Sequence, residues 1–172
     1  MGTRNLTIVI HNGETKIAQY GQWDGYPSGQ GATVLDFLRS ADINAFKDKL
    51  KLVRFETKAD KEEYNKFMKS IGSEDGWMDG EQAERFRKRY PLLTRDNGAE
   101  ILWLIYKNRN NVFLVDHSYF IDDTISNEWT YIVNLDNETL AVNAYCKEIK
   151  IYDINNLPSE KDFVSELEKL SE

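Results

Sequence analysis

TIVIHNGETKIAQY, residues 7–20, places two segments rich in β-branched residues on either side of Asn12-Gly13. Such residues favour strands, and Asn-Gly readily adopts the positive φ angles of a tight hairpin turn. The segment therefore predicts an antiparallel hairpin over residues 4–22.

A second hairpin is predicted towards the other end of the chain. Residues 129–135 and 139–145 are alternating runs, joined by the short polar segment Asp-Asn-Glu at residues 136–138. Alternation around a short polar connection is typical of a hairpin with one buried face. We expect residues 128–145 to form this hairpin in the same sheet as the first one.

Helical signals occupy much of the remaining chain. Apolar residues recur there at helical spacing, and predicted capping residues precede four of these stretches, namely Asp42, Thr57, Asp79 and Ser159. Asn97 and Glu100 have capping-box spacing before the apolar run at residues 101–106, which favours a helix over a buried strand. Hairpins combined with several helices predict a single α+β domain over residues 1–172 with a mainly antiparallel sheet.

The composition is typical of a soluble globular protein and excludes several classes. Of the 172 residues, 41% are apolar and 30% are charged, and 22 basic against 29 acidic side chains give a net charge of −7. The single cysteine, Cys146, excludes an internal disulfide and a cysteine-rich zinc site. The sequence contains no secretory h-region and no apolar run of about 18 residues, so we expect a cytoplasmic protein that is not bound to a membrane.

Few residues in the sequence are suited to catalysis or metal binding. His11 ends a predicted strand, a position typical of a solvated side chain. His117 lies close to Asp116, Asp122 and Asp123, but their spacing matches no metal-binding motif, so we interpret this segment as a solvated acidic loop. We therefore predict no catalytic residue, no metal and no cofactor.

A glycine-rich loop after the first hairpin is the main candidate for a small-ligand site. Residues 23–31, WDGYPSGQG, lead into a predicted helix whose N-terminus presents backbone N–H groups and a positive dipole end. Such a loop can hold a small anionic ligand, and the candidate binding residues are Arg4, Gln19, Trp23, Asp24, Tyr26 and Gln30. The competing interpretation is a structural corner, in which aromatic rings fill the core and glycines form turns.

An enzymatic version of this hypothesis starts from the order strand, turn, strand at the beginning of the chain. This order resembles the opening of N-terminal-nucleophile hydrolases, which use a Cys, Ser or Thr at the mature N-terminus. Here position two is Gly2, and Thr3 would serve only after the loss of two residues. The resemblance therefore implies a degenerate domain of this type, with its site at the Trp23–Gly31 loop.

Charge is distributed unevenly along the sequence. Residues 85–95 contain five lysines and arginines and no acidic residue, whereas residues 110–146 contain six acidic residues and no lysine or arginine. The six are Asp116, Asp122, Asp123, Glu128, Asp136 and Glu138. Such a stretch is typical of a solvated surface, and alternatively it forms an acidic face that binds the basic groove of another protein. The net charge of −7 argues against direct nucleic-acid binding.

Three parts of the sequence carry a resemblance to a known group of proteins. They are MGTRNLTIVI with KIAQYGQWDGYPSGQG, then NGAEILWLIY, and then EWTYIVNLDNETLAV. Together they resemble a family of small uncharacterised proteins found in bacteria, bacteriophages and some fungi. The resemblance supplies no catalytic residues, and it implies a context in which small phage proteins inhibit bacterial defence systems, as anti-CRISPR proteins do.

From these observations we expect a non-enzymatic binding protein of phage or mobile-element type that inhibits a bacterial defence protein. The expected contact is the acidic face, with Asp116, Asp122, Asp123 and Glu128 binding a basic groove of that protein. The alternative is a small-ligand-binding domain with its site at the Trp23–Gly31 loop.

Overall fold

Strands and helices follow one another irregularly along the chain, as in other α+β folds. The computed structural model describes residues 2–171. The strands are β1 (Asn5–His11), β2 (Glu14–Gly21), β3 (Val53–Phe55), β4 (Val112–Leu114), β5 (Trp129–Asn134), β6 (Thr139–Ala144) and β7 (Lys147–Asp153). The helices are α1 (Ala32–Ser40), α2 (Ile43–Leu50), α3 (Lys58–Ser70), α4 (Gly80–Arg89), α5 (Ile101–Lys107) and α6 (Glu160–Ser171). The predicted fold class is confirmed.

Both predicted hairpins are present and lie in one sheet. β1 and β2 pair antiparallel around Asn12 (φ 55°) and Gly13 (φ 73°), the left-handed conformations expected of the tight turn. β5 pairs antiparallel with β6, and β6 with β7, so the strand order is β2-β1-β5-β6-β7. The two hairpins meet at β1 and β5, which run parallel to each other.

A carboxylate ties the turns of the two hairpins together. Asp136, in the β5–β6 turn, accepts hydrogen bonds from the backbone N–H groups of Asn12 (2.7 Å) and Gly13 (2.8 Å). These bonds, with nearby His11, hold the pKa of Asp136 below its ordinary value. One of the six acidic residues in the stretch 110–146 therefore has a structural partner in the other hairpin.

The main hydrophobic core lies on one face of the sheet, under the helices. Because side chains alternate along a strand, Val9, Tyr131 and Val133 all point to this face, where they are fully buried. Helices α1, α2, α5 and α6 cover this face with Phe37, Phe46, Ile105 and Phe163, among others. Within residues 2–171, none of the helices has both the length and the apolar character needed to cross a membrane.

The opposite face of the sheet is covered only over its first strands. A short helical turn at Ser118–Asp122 packs Phe120 against apolar side chains of β1. Further along the sheet, Ile132, Ala141 and Ile151 are opposite one another in register. Ile132 packs against the cluster that contains Phe120, whereas 51% of the surface of Ile151 is exposed, so apolar side chains on this face become exposed towards β7.

One predicted helix cap is wrong, and the helix itself is confirmed. Asn97 does not cap α5, because its side-chain amide donates to the carbonyl of Pro91 (2.8 Å). The intervening Gly98 has a φ of 48°, a left-handed conformation that interrupts the helix between Asn97 and Ile101. The other four predicted caps are confirmed at Asp42, Thr57, Asp79 and Ser159.

A second, smaller sheet leads the chain back to the edge of β2. It consists of β3 and β4, which pair in parallel. Beyond β4, the backbone N–H of His117 donates to the carbonyl of Ala18 in β2 (3.1 Å), and the imidazole Nδ1 lies 3.3 Å from the same oxygen. Burial lowers the pKa of His117. His117 therefore anchors the segment that precedes β5 to the main sheet.

We expect acid to destabilise the protein through His117. Its pKa in the folded protein is lowered from 6.5, so the unfolded chain binds the proton more readily. The contribution of the neutral imidazole is complete above the unfolded value and is lost as the pH falls below it towards the folded value. The free energy of unfolding should decline there by at most about 1.4 kcal/mol per pH unit, the limit for one proton.

Chemical denaturation of the wild type and of His117→Asn, measured at about pH 8 and about pH 5, tests this expectation. Asparagine offers an amide donor but does not titrate, so the variant should lose less stability in acid. His11→Asn is the matched control and should retain the pH dependence that is due to His117. A His117→Asn protein with the same acid sensitivity as the wild type would contradict the assignment.

Candidate functional site

The glycine-rich loop turns directly into helix α1. Residues Pro27–Gly31 form one π-helical turn that continues without a break into the helix. The N–H groups of Gly29, Gln30 and Gly31 donate to carbonyls of residues 24–26 at 2.8–3.4 Å. These amides are therefore bonded within the loop, and the predicted cradle of free N–H groups does not form here.

Gln30 joins this loop to the turn that precedes α5. Its Oε1 accepts a hydrogen bond from the N–H of Ala99 (2.7 Å), and its Nε2 donates to the carbonyl of Trp23 (3.3 Å). The side chain lies against Gly98, where a Cβ would come within 2.5 Å of Oε1. Gln30 thus connects two loops, and both ends of its amide are already hydrogen-bonded.

Tyr131 holds the same loops from the core side. Its ring is fully buried, and its hydroxyl donates to the carbonyl of Gly25 (2.8 Å). Burial raises the pKa of this phenol well above its ordinary value. A Cβ at Gly31 would approach the hydroxyl to 2.8 Å, so only glycine fits without a shift. We call Gly25, Gln30, Gly31, Gly98 and Tyr131 the Gln30 corner.

The aromatic members of the loop lie outside the Gln30 corner and are exposed. Trp23 has 53% of its surface exposed and Tyr26 41%. The Tyr26 hydroxyl donates to Oδ1 of Asp24 (2.9 Å), and this bond raises the pKa of Tyr26. Trp23, Asp24 and Tyr26 therefore remain available to a partner, while the glycines and Gln30 belong to the scaffold.

The two remaining ligand candidates lie on opposite faces of the sheet. Gln19 pairs in register with Thr7, is buried, and donates from Nε2 to the carbonyl of Tyr20 (2.8 Å). Arg4 alternates to the other face, and its backbone N–H donates to Oε1 of Glu128 (3.2 Å). The six residues predicted to bind a small anion therefore do not converge on one point.

The acidic stretch 110–146 is divided by strand β5. Glu128 precedes this strand and Asp136 follows it, so the eight-residue separation places them roughly 26 Å apart along the strand direction. Asp136 and Glu138 therefore belong to the hairpin turns, and Asp122, Asp123 and Glu128 to the opposite end of β5. The single contiguous acidic face expected from the sequence is not formed.

Several of these carboxylates bind backbone amides. Asp116 accepts from the N–H of Ser118 (2.9 Å), and Asp123 accepts from the N–H of Ile125 (3.1 Å) and of Ser126 (2.8 Å). The bond from Ser126 is the main reason why the pKa of Asp123 is lowered. Within residues 2–171, no group of three or more His, Cys, Asp and Glu side chains is arranged to hold a metal ion.

Exposed apolar side chains accompany the acidic residues at this end of β5. Ile125 has 91% of its surface exposed, and Tyr145 has 56%. The backbone N–H of Tyr145 donates to the carbonyl of Glu128 (2.9 Å), which brings the β6–β7 turn to the acidic segment. We call Asp122, Asp123, Ile125, Glu128 and Tyr145 the acidic–apolar surface.

Cys146 lies in the same turn as Tyr145. Burial, and then the carboxylates of Asp122 and Asp123, raise the pKa of its thiol. Sequence reasoning selected the carboxylates but missed Ile125 and Tyr145, because single apolar residues in turns carry no periodic signal. The sole indication was an isoleucine between Thr124 and Ser126, where a polar residue is more common.

The Gln30 corner predicts a clear difference between two neighbouring variants. Gln30→Ala removes the acceptor for the buried N–H of Ala99 and should lower the free energy of unfolding by about 1–3 kcal/mol. Tyr26→Phe, the matched control, removes an exposed hydroxyl and should change it by less than about 0.5 kcal/mol. Urea denaturation measures both. Equal effects of the two variants would show that the corner is not a structural bridge.

Comparison with known proteins identifies no relative of this chain. The chain matches no protein-family model, no curated protein and no solved structure significantly. The resemblance of its opening to small bacterial and phage proteins therefore stays a prediction, and the functional argument depends on the surfaces described above.

Proposed function

We propose that this protein binds a partner protein through the acidic–apolar surface, without catalysing a reaction. In this proposal a basic groove of the partner receives the carboxylates of Asp122, Asp123 and Glu128. Ile125 and Tyr145 enter apolar parts of the same groove. Ile125 is the observation that carries the proposal, because an isoleucine with 91% of its surface exposed contributes little to the fold.

The apolar side chains give this surface the composition of an interface. Isolated exposed apolar residues are common on monomeric proteins. Here an isoleucine and a tyrosine, both exposed, occur at adjoining turns. Interfaces bury such residues in a central patch, with charged residues around it.

The charges favour a basic partner. Residues 110–146 contain no lysine or arginine, so the acidic–apolar surface lacks cations of its own segment. Two cations lie near it: Arg4, whose charge contributes to the lowered pKa of Asp123, and the exposed Lys147, two residues after Tyr145. Asp122 is exposed, and no hydrogen bond of its carboxylate is present among residues 2–171. An acidic surface of this kind accelerates association with a basic groove.

The biological part of the proposal comes from the resemblance stated for the sequence. Because of this resemblance, bacterial defence proteins in the cytoplasm of a host cell are the first class of partner to test. Occupation of a nucleic-acid channel by carboxylates would inhibit such a protein by direct competition. The Trp23–Gly31 loop receives less support as a ligand site, because its glycine amides are bonded internally.

A double variant separates this proposal from the interpretation of a merely solvated surface. In Asp122→Lys/Ile125→Ala, the reversed charge and the lost side chain should weaken partner binding at least about tenfold. Both residues are exposed, so stability should change by only about 0.5 kcal/mol for each. Glu62→Lys reverses an exposed charge on α3 and is the matched control.

The experiment uses the wild-type chain and both variants as baits in bacterial lysates, followed by kinetics with the purified partner. A protein with a basic groove should be retained by the wild type and by Glu62→Lys, and lost with the double variant. Its association rate should fall as salt screens the charges. Retention by all three baits, an association rate that salt does not change, or no capture by the wild type would contradict the proposal.

A further inference from the structure

A cavity outside the acidic–apolar surface has a composition suited to a small ligand. It has a volume of about 400 Å³ and lies between helices α3 and α4 and the segment that leads to α5. This volume is within the range of small-molecule sites. Its lining combines aromatic rings and methionines with two guanidinium groups, including Tyr64, Met68, Trp77, Met78, Arg87 and Arg95.

The two arginines give the lining of this cavity a net positive charge. Neither Arg87 nor Arg95 is within ion-pair distance of a carboxylate among residues 2–171. The acidic side chain one turn before Arg87 is Glu84, and it is bound to Lys88 (2.9 Å). Asp96 also lines the cavity, so the lining has two guanidinium groups against one carboxylate. Guanidinium groups of this kind bind phosphate and carboxylate in bidentate geometry.

The indole of Trp77 is presented to solvent by a loop that is fixed independently of it. Ser73 is buried, and its hydroxyl donates to the carbonyl of Trp77 (2.7 Å). The N–H of Trp77 donates to Oδ1 of Asp75 (3.1 Å), and Gly76 provides a φ of 83°. These contacts hold the backbone, while 75% of the Trp77 surface remains exposed. An exposed indole on a fixed backbone is able to stack on a planar ring at small entropic cost.

We propose that this cavity binds a mononucleotide, with the phosphate on Arg87 and Arg95 and the base against Trp77. Phosphate alone accounts for the arginines but leaves the aromatic and thioether lining without a role. An uncharged aromatic ligand accounts for the lining but leaves the guanidinium groups unused. A nucleoside monophosphate uses both, since bases stack on aromatic side chains and methionine sulfur packs favourably against rings.

The cavity and the acidic–apolar surface consist of different residues, and neither proposal depends on the other. The cavity is lined by α3, α4, residues 76–78, residues 93–96 and Val115, and it shares no residue with the acidic–apolar surface. Variants at Arg87 and Arg95 therefore leave the carboxylates of the acidic–apolar surface unchanged.

Isothermal titration calorimetry of the whole chain tests the site. The probes are the four common ribonucleoside monophosphates, with adenosine and inorganic phosphate titrated separately. At least one monophosphate should bind saturably, and adenosine and phosphate should each bind at least about tenfold more weakly. Arg87→Ala, Arg95→Ala and Trp77→Ala should each weaken binding of that monophosphate by about tenfold.

Arg85→Ala is the matched control, because Arg85 is an exposed arginine on the same helix and does not line the cavity. Arg85→Ala should change the affinity by no more than about twofold, because residues two positions apart on a helix point to different faces. Circular dichroism establishes that each variant is folded before titration. No saturable binding of any monophosphate, equal binding of inorganic phosphate, or equal losses in Arg85→Ala and Arg87→Ala would overturn the proposal.

Discussion

The parallel pairing of β1 with β5 is the constraint on which the rest of the structure depends. It joins Asn5 to Trp129 and Ile10 to Asn134, residues more than a hundred positions apart, and so makes one sheet from two hairpins. Each hairpin alone has too little buried surface to be stable in water. When they are joined, Val9 and Val133 are buried side by side under the helices. The β1–β2 turn then lies close enough to the β5–β6 turn for Asn12 to donate a hydrogen bond to Asp136.

The same pairing positions both the glycine-rich loop and the acidic–apolar surface. Tyr131 reaches the glycine-rich loop only because β5 lies beside β1, and its bond to the carbonyl of Gly25 then fixes the loop in the Gln30 corner. At the start of β5, the contact between Glu128 and the backbone of Arg4 fixes the acidic segment against the first strand. The acidic–apolar surface thus lies in the segments next to the start of β5, which these hydrogen bonds hold against the first strand.

Local signals in the sequence predicted local structure well. Asn12-Gly13 predicted its turn and the Thr57 and Asp79 caps predicted their helices, because each of these interactions is completed within about four residues. The β1–β5 pairing had no local signal, since it joins two buried strands over a long separation. The cap at Asn97 failed because the left-handed Gly98 interrupts the helix. The sequence suggests one continuous acidic face, because the separation of its carboxylates by strand β5 is visible only in the folded structure.

Native-state hydrogen exchange tests the central role of the β1–β5 pairing most directly. If the pairing holds the two hairpins in one cooperative unit, backbone amides in β1 and β5 should be the most protected of the chain. They should exchange only through global unfolding, with a free energy equal to that measured by urea denaturation. Amides in exposed turns outside the sheet should exchange through local openings of lower free energy. Faster exchange in β1 than in β5 and β6, through an opening that leaves the second hairpin protected, would contradict the account.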